Sequence, residues 1–342
     1  MENFLTNFVR TFILSTLIMT SQAKKHNKSF YKMAPIYVND KPAIFAHAES
    51  PVWDVDTQSL FFVDVHNQNV HRYDYSTKKL YTKHIDYGQV NIVSLVAGSR
   101  RLLVAVRSAL YLLDWNVSGD AALRLLTTVD QGLPDNVINE GKPDGEGRFW
   151  GGTKGPQVGD DVQPDKATLY SFEPDQEGYV QPRVVLRPVS ISNGLAFSLN
   201  NTIMYYVDSA TQKIEAFDYD AQRGEISGRR TILDITTYGY DDAIPDGLTI
   251  DSNGHLWVAL MFGGTILHID PEARQVIYGY KLPGVRTTSL CWGGPDLDEL
   301  YVTTGREKDV IEPFAGAIFT IKNTGSRGVP AHTFRYDNAD SY

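Results

Sequence analysis

Four oxygen-bearing side chains recur at nearly one phase of this sequence. Glu49 precedes Val63 by the same interval as Asn193 precedes Val207, and Asn139 precedes Gly151 by the same interval as Asp246 precedes Val258, the second interval being two positions shorter than the first. Taken singly, each has an ordinary explanation: Asn193-Gly194 and Asp246-Gly247 read as turn dipeptides, the latter bending the chain into the strand that follows. Turn chemistry does not require the phase to agree across distant segments, so the coincidence points to a shared site. Carboxylates and amide carbonyls are hard oxygen donors suited to Ca²⁺, Mg²⁺ or Mn²⁺. Three or four such donors leave positions open for water and a substrate, the arrangement in which a cation polarises a carbonyl. Asp246 could both hold the ion and take a proton as general base.

The segments that position these residues repeat. Leu-Phe-Phe-Val-Asp (60–64), Leu-Leu-Val-Ala-Val (102–106) and Phe-Trp-Gly-Gly-Thr (149–153) are matched by Met-Tyr-Tyr-Val-Asp (204–208), Leu-Trp-Val-Ala-Leu (256–260) and Leu-Tyr-Val-Thr-Thr (300–304). Aligned on Val63, Val104, Gly151, Val207, Val258 and Val302, they recur at fairly even intervals along the whole chain. A second short strand ending near an acidic residue commonly follows, as in Ile214–Asp218 and Ile266–Asp270. Several strands per unit at this period predict an all-β, six-bladed β-propeller with a central metal channel, rather than a sandwich. In such a ring, polar residues at one phase of several blades converge on one end of the axis.

Composition narrows the function classes. The 342 residues are 42% hydrophobic and 21% charged, with a formal net charge of −9 and no basic run to offset it. Nucleic acid and anionic membrane surfaces are therefore not the expected partners. The one cysteine, Cys291 in Ser-Leu-Cys-Trp-Gly, permits neither an intramolecular disulfide nor a cysteine zinc site and reads as a buried thiol. The eight histidines show no metal-ligand spacing. There is no Gly-x-Ser-x-Gly elbow, P-loop, dinucleotide fingerprint or EF-hand loop.

Residues 1–34 are set apart from the propeller, which is expected over 35–342. Arg10, the apolar run 11–20 and Ser21-Gln22-Ala23 resemble a secretory signal cleaved after Ala23, too short to span a membrane comfortably. Asn-x-Ser/Thr triplets at Asn27, Asn116 and Asn200 are compatible with export. Met33 offers an alternative start, which would leave a cytoplasmic protein.

Glu-Ser-Pro-Val-Trp (49–53), Ile-Ser-Asn-Gly-Leu-Ala-Phe-Ser (191–198) and Ile-Pro-Asp-Gly-Leu-Thr-Ile-Asp (244–251) carry a family resemblance. With Tyr-Tyr-Val-Asp-Ser (205–209), Ala-Phe-Asp-Tyr-Asp (216–220), Leu-Trp-Val-Ala (256–259) and Glu-Leu-Tyr-Val-Thr (299–303), the chain resembles the regucalcin/gluconolactonase family, also called senescence marker protein, including the insect luciferin-regenerating enzymes. The resemblance runs from about Glu49 to near Gly328. It implies a propeller with one divalent cation, Ca²⁺ foremost and Zn²⁺, Mn²⁺ or Mg²⁺ as alternatives, held by Glu49, Asn193 and Asp246. It further implies Asp246 as acid/base, Asn139 as a substrate contact and hydrolysis of sugar lactones such as gluconolactone; the chain is expected to be a monomer. Val137 stands where that family carries an arginine, Glu140 where it carries an aspartate, and Gln157 where it carries a substrate-contacting glutamate. Losing a rigid guanidinium fork removes a grip on sugar oxygens, so the resemblance implies a more apolar lactone or ester. The competing expectation is a calcium- or small-ligand-binding propeller whose catalysis has lapsed. A protein-interaction propeller is weaker, since such a scaffold has no need of phased carboxylates.

Overall fold

The computed structural model describes residues 31–307, 312, 314–337 and 339–340. The signal-like run 11–20, the cleavage point after Ala23 and Asn27 lie outside the described residues. Among the described residues, the six repeated motifs become the second strands of six four-stranded antiparallel sheets: Ser59–Asp64, Leu102–Val106, Phe149–Lys154, Ile203–Asp208, Leu256–Met261 and Glu299–Thr304. Each is flanked by strands within its sheet and covered on both faces by neighbouring sheets, which is why its sequence is nearly continuously apolar. Leu256–Met261 is buried at every position, whereas the outermost strand of the same sheet, Gln275–Lys281, is mostly exposed or half-buried.

The six inner strands touch in a closed cycle. Ala48–Asp54 (blade 1) contacts Val90–Leu95 (blade 2), which contacts Val137–Pro143 (blade 3), then Ser192–Phe197 (blade 4), Ile244–Ile250 (blade 5) and Thr287–Gly293 (blade 6), which returns to Ala48–Asp54. The six-bladed propeller expected from the period is the fold. Its apolar core is divided into six clusters, one at each blade interface, such as Phe61, Val63, Val90 and Val104 between blades 1 and 2. Cys291 packs in the cluster between blades 6 and 1, and burial pushes its thiol up to about 12, so it is an inert core residue.

Both ends of the described chain act as closures. Lys32–Pro35 pairs antiparallel with Phe319–Lys322, from Lys32 opposite Lys322 to Pro35 opposite Phe319, and completes blade 6. The sheet thus begins at residue 32 rather than at 35, because this strand covers an edge that would otherwise present unpaired backbone groups. At the other end, Ser252 N–H donates to Arg327 O, Gly328 N–H to Leu297 O, Phe334 N–H to Leu95 O and Arg335 N–H to Gly147 O. The acceptors and donors on the blades all lie where the inner strands end, so the tail crosses that end of the ring. No helix among the described residues is long and apolar enough to cross a membrane.

His71, buried in the third strand of blade 1, stacks on Phe62 at 4.9 Å and bonds Thr82 Oγ1 at 2.9 Å through Nδ1. Its Nε2 is buried with no hydrogen-bond partner among the described residues. Burial pulls its pKa down to about 4 against a weaker opposing pull from Asp64. Below pH 6.5 the unfolded chain therefore takes up a proton that the folded chain refuses, and stability falls as the pH drops towards 4, by about 3 kcal/mol over that range. Denaturant unfolding of His71→Phe should show a flatter acid limb than the wild type between pH 6.5 and 4.5. Parallel limbs would sink this assignment.

Candidate functional site

Every inner strand carries a register irregularity against its neighbour at the same height. The shifts fall between Glu49 and Val52, Val90 and Ile92, Ile138 and Glu140, Ser192 and Leu195, Pro245 and Leu248, and Thr287 and Leu290. A β-bulge leaves a residue out of the pairing pattern and re-aims its side chain. Asn139, Asn193 and Asp246 occupy these bulges and Glu49, paired with Val63, stands at the edge of one, at the end of the ring away from the tail. Asp246-Gly247 lies inside Ile244–Ile250, so the expectation that this pair turns the chain into a strand is corrected. The glycines serve close approach between blades. A Cβ at Gly194 would meet Asp246 O at 2.5 Å, and one at Gly247 would collide with Ser289 Oγ.

Side chains of the same bulges stitch five of the six blade junctions, while blades 5 and 6 meet through the close approach of Gly247 to Ser289. Ser50 Oγ accepts from Val93 N–H at 3.1 Å, and Asn91 Nδ2 donates to Ile138 O at 2.8 Å. Asn139 Nδ2 donates to Ser192 O at 2.9 Å and to Asn193 Oδ1 at 3.1 Å. Asn193 Nδ2 donates to Ser209 Oγ at 2.7 Å, which donates onward to Pro245 O at 2.6 Å. Thr288 Oγ1 closes the circle on Ala48 O at 2.6 Å. The amide nitrogen of Asn139 is thus spent on the neighbouring blade and that of Asn193 on Ser209 of its own blade, which relays to blade 5, and both contacts orient the amide oxygens. Two aspartates at the ends of repeated motifs hold the approach to this ring. Asp64 accepts from the N–H groups of Ala46 and His47, and Asp208 from those of Ser190 and Ile191.

Electrostatically the site is dominated by buried anions. Glu49 and Asp246 are buried, and their carboxyls are pushed well above the ordinary range, first by desolvation and then by negative charge on neighbours: Asp246 and Glu140 act on Glu49, and Glu140 acts on Asp246. Glu140 is also raised by burial, with Lys142 pulling the other way. Lys142 Nζ donates to Leu248 O, so this side chain crosses from blade 3 to blade 5. Lys154 is lowered by burial, while Asp246 and Glu49 favour its charge.

Val137 and Lys154 are register partners across the first two strands of blade 3. A cation therefore stands beside the position where the resembling family carries its arginine, delivered from the next strand. Gln157 lies apart from this cluster, exposed on the hairpin Gln157–Val158/Asp161–Val162, with its Nε2 donating to Gly159 O. The tip of that hairpin reaches blade 6, opposite blade 3 in the ring: Asp160 Oδ2 pairs with Arg286 Nη2 at 2.7 Å. Sequence reasoning missed Asn91, Ser289 and Lys154. Asn91 stands ahead of Val104, and Ser289 ahead of Val302, at an interval midway between the two that mark the other four blades. The phase count, carried through all six blades, would have found two of the three.

The donor set fits a hard divalent cation. Three buried carboxylates share one region, the oxygens of Asn139 and Asn193 are oriented by the stitches, and Asn91 Oδ1 and Ser289 Oγ are buried without a hydrogen-bond partner among the described residues.

Residues 47–306 match the family described as the SMP-30/Gluconolactonase/LRE-like region. Regucalcin of Xenopus laevis is 36% identical over 292 residues, covering 84% of this chain and 94% of its own length. A solved luciferin-regenerating enzyme superposes with a TM-score of 0.81 at 29% identity, covering 89% of this chain and 99% of that one. The structure of a calcium-binding protein, regucalcin, from Agrobacterium tumefaciens gives 0.75 at 22% identity over 86% and 95%, which speaks for the fold.

Gly247→Ala tests the close approach on which the bulge geometry rests. With Ser289 Cβ at 2.5 Å and its Cα at 2.6 Å from the added Cβ, the substitution should cost about 1–3 kcal/mol in chemical denaturation. Gly279→Ala, whose Cβ meets nothing closer than 3.5 Å, serves as the control and should stay within about 0.5 kcal/mol.

Proposed function

Because the chain belongs to the SMP-30/gluconolactonase/LRE-like family, we propose that it hydrolyses a lactone with one divalent cation held by Glu49, Asn193 and Asp246. What supports this reading above all is the cluster of buried carboxylates at one end of the channel, each raised in pKa, with Glu49 and Asp246 beside Lys154 and Glu140 beside Lys142. When bound, the cation would offset the repulsion among these anions, polarise the lactone carbonyl and acidify an attacking water. Ca²⁺ is the foremost candidate because every donor is oxygen.

The remaining work falls to the chain's own groups. Asp246 takes the proton from water at a carboxylate oxygen and returns it to the ring oxygen as the ester bond breaks. Asn139, with its nitrogen held by Ser192 O and Asn193 Oδ1, presents its oxygen to a substrate hydroxyl. Lys154 places a single mobile cation where a guanidinium fork would offer several fixed donors, so it holds one substrate oxygen rather than a pair. Val137 adds an apolar wall. Together these select a lactone with fewer polar substituents than a sugar lactone. Glu140, tied to Lys142, shapes the field below the substrate.

The second reading, a ligand- or calcium-binding propeller without turnover, draws on Gln157, whose amide is engaged with Gly159 on the exposed hairpin. One assay separates the two. Chelator-treated protein is offered a panel of sugar and aliphatic lactones and aryl esters with Ca²⁺, Mg²⁺, Mn²⁺ or Zn²⁺ restored. Metal-restored hydrolysis that falls about 10²–10⁴-fold in Asp246→Asn is expected. Lys154→Met should raise KM more than it lowers kcat. Cation binding without turnover on any substrate would favour the second reading, and turnover that survives Asp246→Asn would remove the assigned base.

A further inference from the structure

A second group of ligand-type side chains lies in blade 5, at the end of the ring crossed by the C-terminal tail. Asp251 follows the inner strand, His255 precedes Leu256–Met261, and His268 stands on Thr265–Asp270 in register with Trp257. The extended chain from Asp246 to Asp251 covers about 16 Å at the usual rise of about 3.3 Å per residue, so the group is distinct from the channel site. His255 Nδ1 lies 3.1 Å from His268 Nε2 and 4.0 Å from Asp251 Oδ2, and His268 Nε2 lies 3.5 Å from that same oxygen. A triangle with those sides has a centre about 2.1 Å from each corner, which is the length of a bond from Zn²⁺ to an imidazole nitrogen or a carboxylate oxygen.

Blade 3 provides an internal control built on the same local sequence pattern. Asp144 and Asp251 each accept, through Oδ1, the backbone N–H groups two and four residues on, and each accepts a tryptophan Nε1–H through Oδ2, Trp150 at 2.8 Å and Trp257 at 3.1 Å. In blade 3, Asp144 Oδ2 also receives Tyr219 Oη–H at 2.6 Å and Arg148 Nη1 at 3.4 Å, so a permanent cation neutralises it. Blade 5 has His255 where blade 3 has Arg148, and His268 opposite its tryptophan where blade 3 has Ser171. Two imidazoles, each able to give a lone pair to a metal, thus stand where blade 3 has a guanidinium that cannot and a serine hydroxyl.

The three side chains are held in place. Asp251 Oδ1 accepts the backbone N–H groups of Asn253 at 2.9 Å and His255 at 3.0 Å, and Oδ2 accepts Trp257 Nε1–H at 3.1 Å, which fixes the carboxylate. The His268 ring stacks on Trp257 with centroids 4.1 Å apart. The His255 side chain is 29% exposed, which gives an ion access and leaves room for a water as fourth ligand.

We propose that Asp251, His255 and His268 form a second metal site, for Zn²⁺ or a similar transition-metal ion, that clamps the 251–255 turn to the third strand of blade 5. That turn also pairs with the tail at Gly328 and through Ser252 N–H to Arg327 O, so the ion would stiffen the closure of this end of the ring.

The test uses the full chain, stripped with a chelator and carrying Glu49→Gln and Asp246→Asn to disable the channel donors. Titration with Co²⁺ should give a visible ligand-field band and quench Trp257 fluorescence, saturating at one equivalent and reversed by Zn²⁺. His255→Ala should weaken uptake at least tenfold with an unchanged circular dichroism spectrum. His255→Arg, which copies the blade 3 arrangement, should fold and abolish uptake. No Co²⁺ uptake in the stripped chain, or uptake that both His255 variants leave unaltered, would overturn the proposal.

Discussion

Glu49, Glu140 and Asp246 sit where water scarcely reaches them, and their negative charges oppose one another. Concentrating like charge in a desolvated space is costly, and nothing local to these residues offsets it fully. The cost is met by the periphery. Six apolar clusters, one at each blade interface, hold the ring closed around the axis and keep the carboxylates from moving apart. Lys142 and Lys154 relieve part of the repulsion, and each is itself lowered in pKa by the burial it shares. A scaffold of this kind can tolerate, at its centre, a group of side chains that prefers to bind something positive.

The bulges connect that central demand to the ring. Because Asn139 and Asn193 both carry these links and belong to the candidate site, a change at either acts on assembly as well as on chemistry. Asn139 shows this most plainly: one nitrogen joins blade 3 to the backbone of blade 4 and to Asn193, and the oxygen is aimed as a consequence. The glycines after Asn193 and Asp246 belong to the same device, since they let the next blade approach closely enough for the stitches to form.

The fold was legible because the second strand of each blade is buried on both faces and so writes a dense apolar motif. Outer strands such as Leu80–His84 are mostly exposed or half-buried and leave a weak trace. The phase of Glu49, Asn139, Asn193 and Asp246 was legible as well, and it falls on the bulges or, for Glu49, at the edge of one. Its second meaning, the stitching of blades, was not, because the acceptors are backbone groups of another repeat. Lys154 was hidden for a related reason: its relation to Val137 is a cross-strand register, which residue spacing does not display. His255 and His268 are separated in sequence by a whole strand and a turn, and meet only because two strands of one blade bring Trp257 opposite His268. The strand Lys32–Pro35 was read as leader because its partner lies at the far end of the chain.

That last pairing has a consequence for the order of events during synthesis. Lys32–Pro35 leaves the ribosome early, and Phe319–Lys322 follows only when the other five blades have already emerged. Until then blade 6 lacks its outer strand and the ring is open between its last blade and its first. Glu49 is made long before Asp246, and the strand that completes blade 6 finds its partner only after both carboxylates are on the chain.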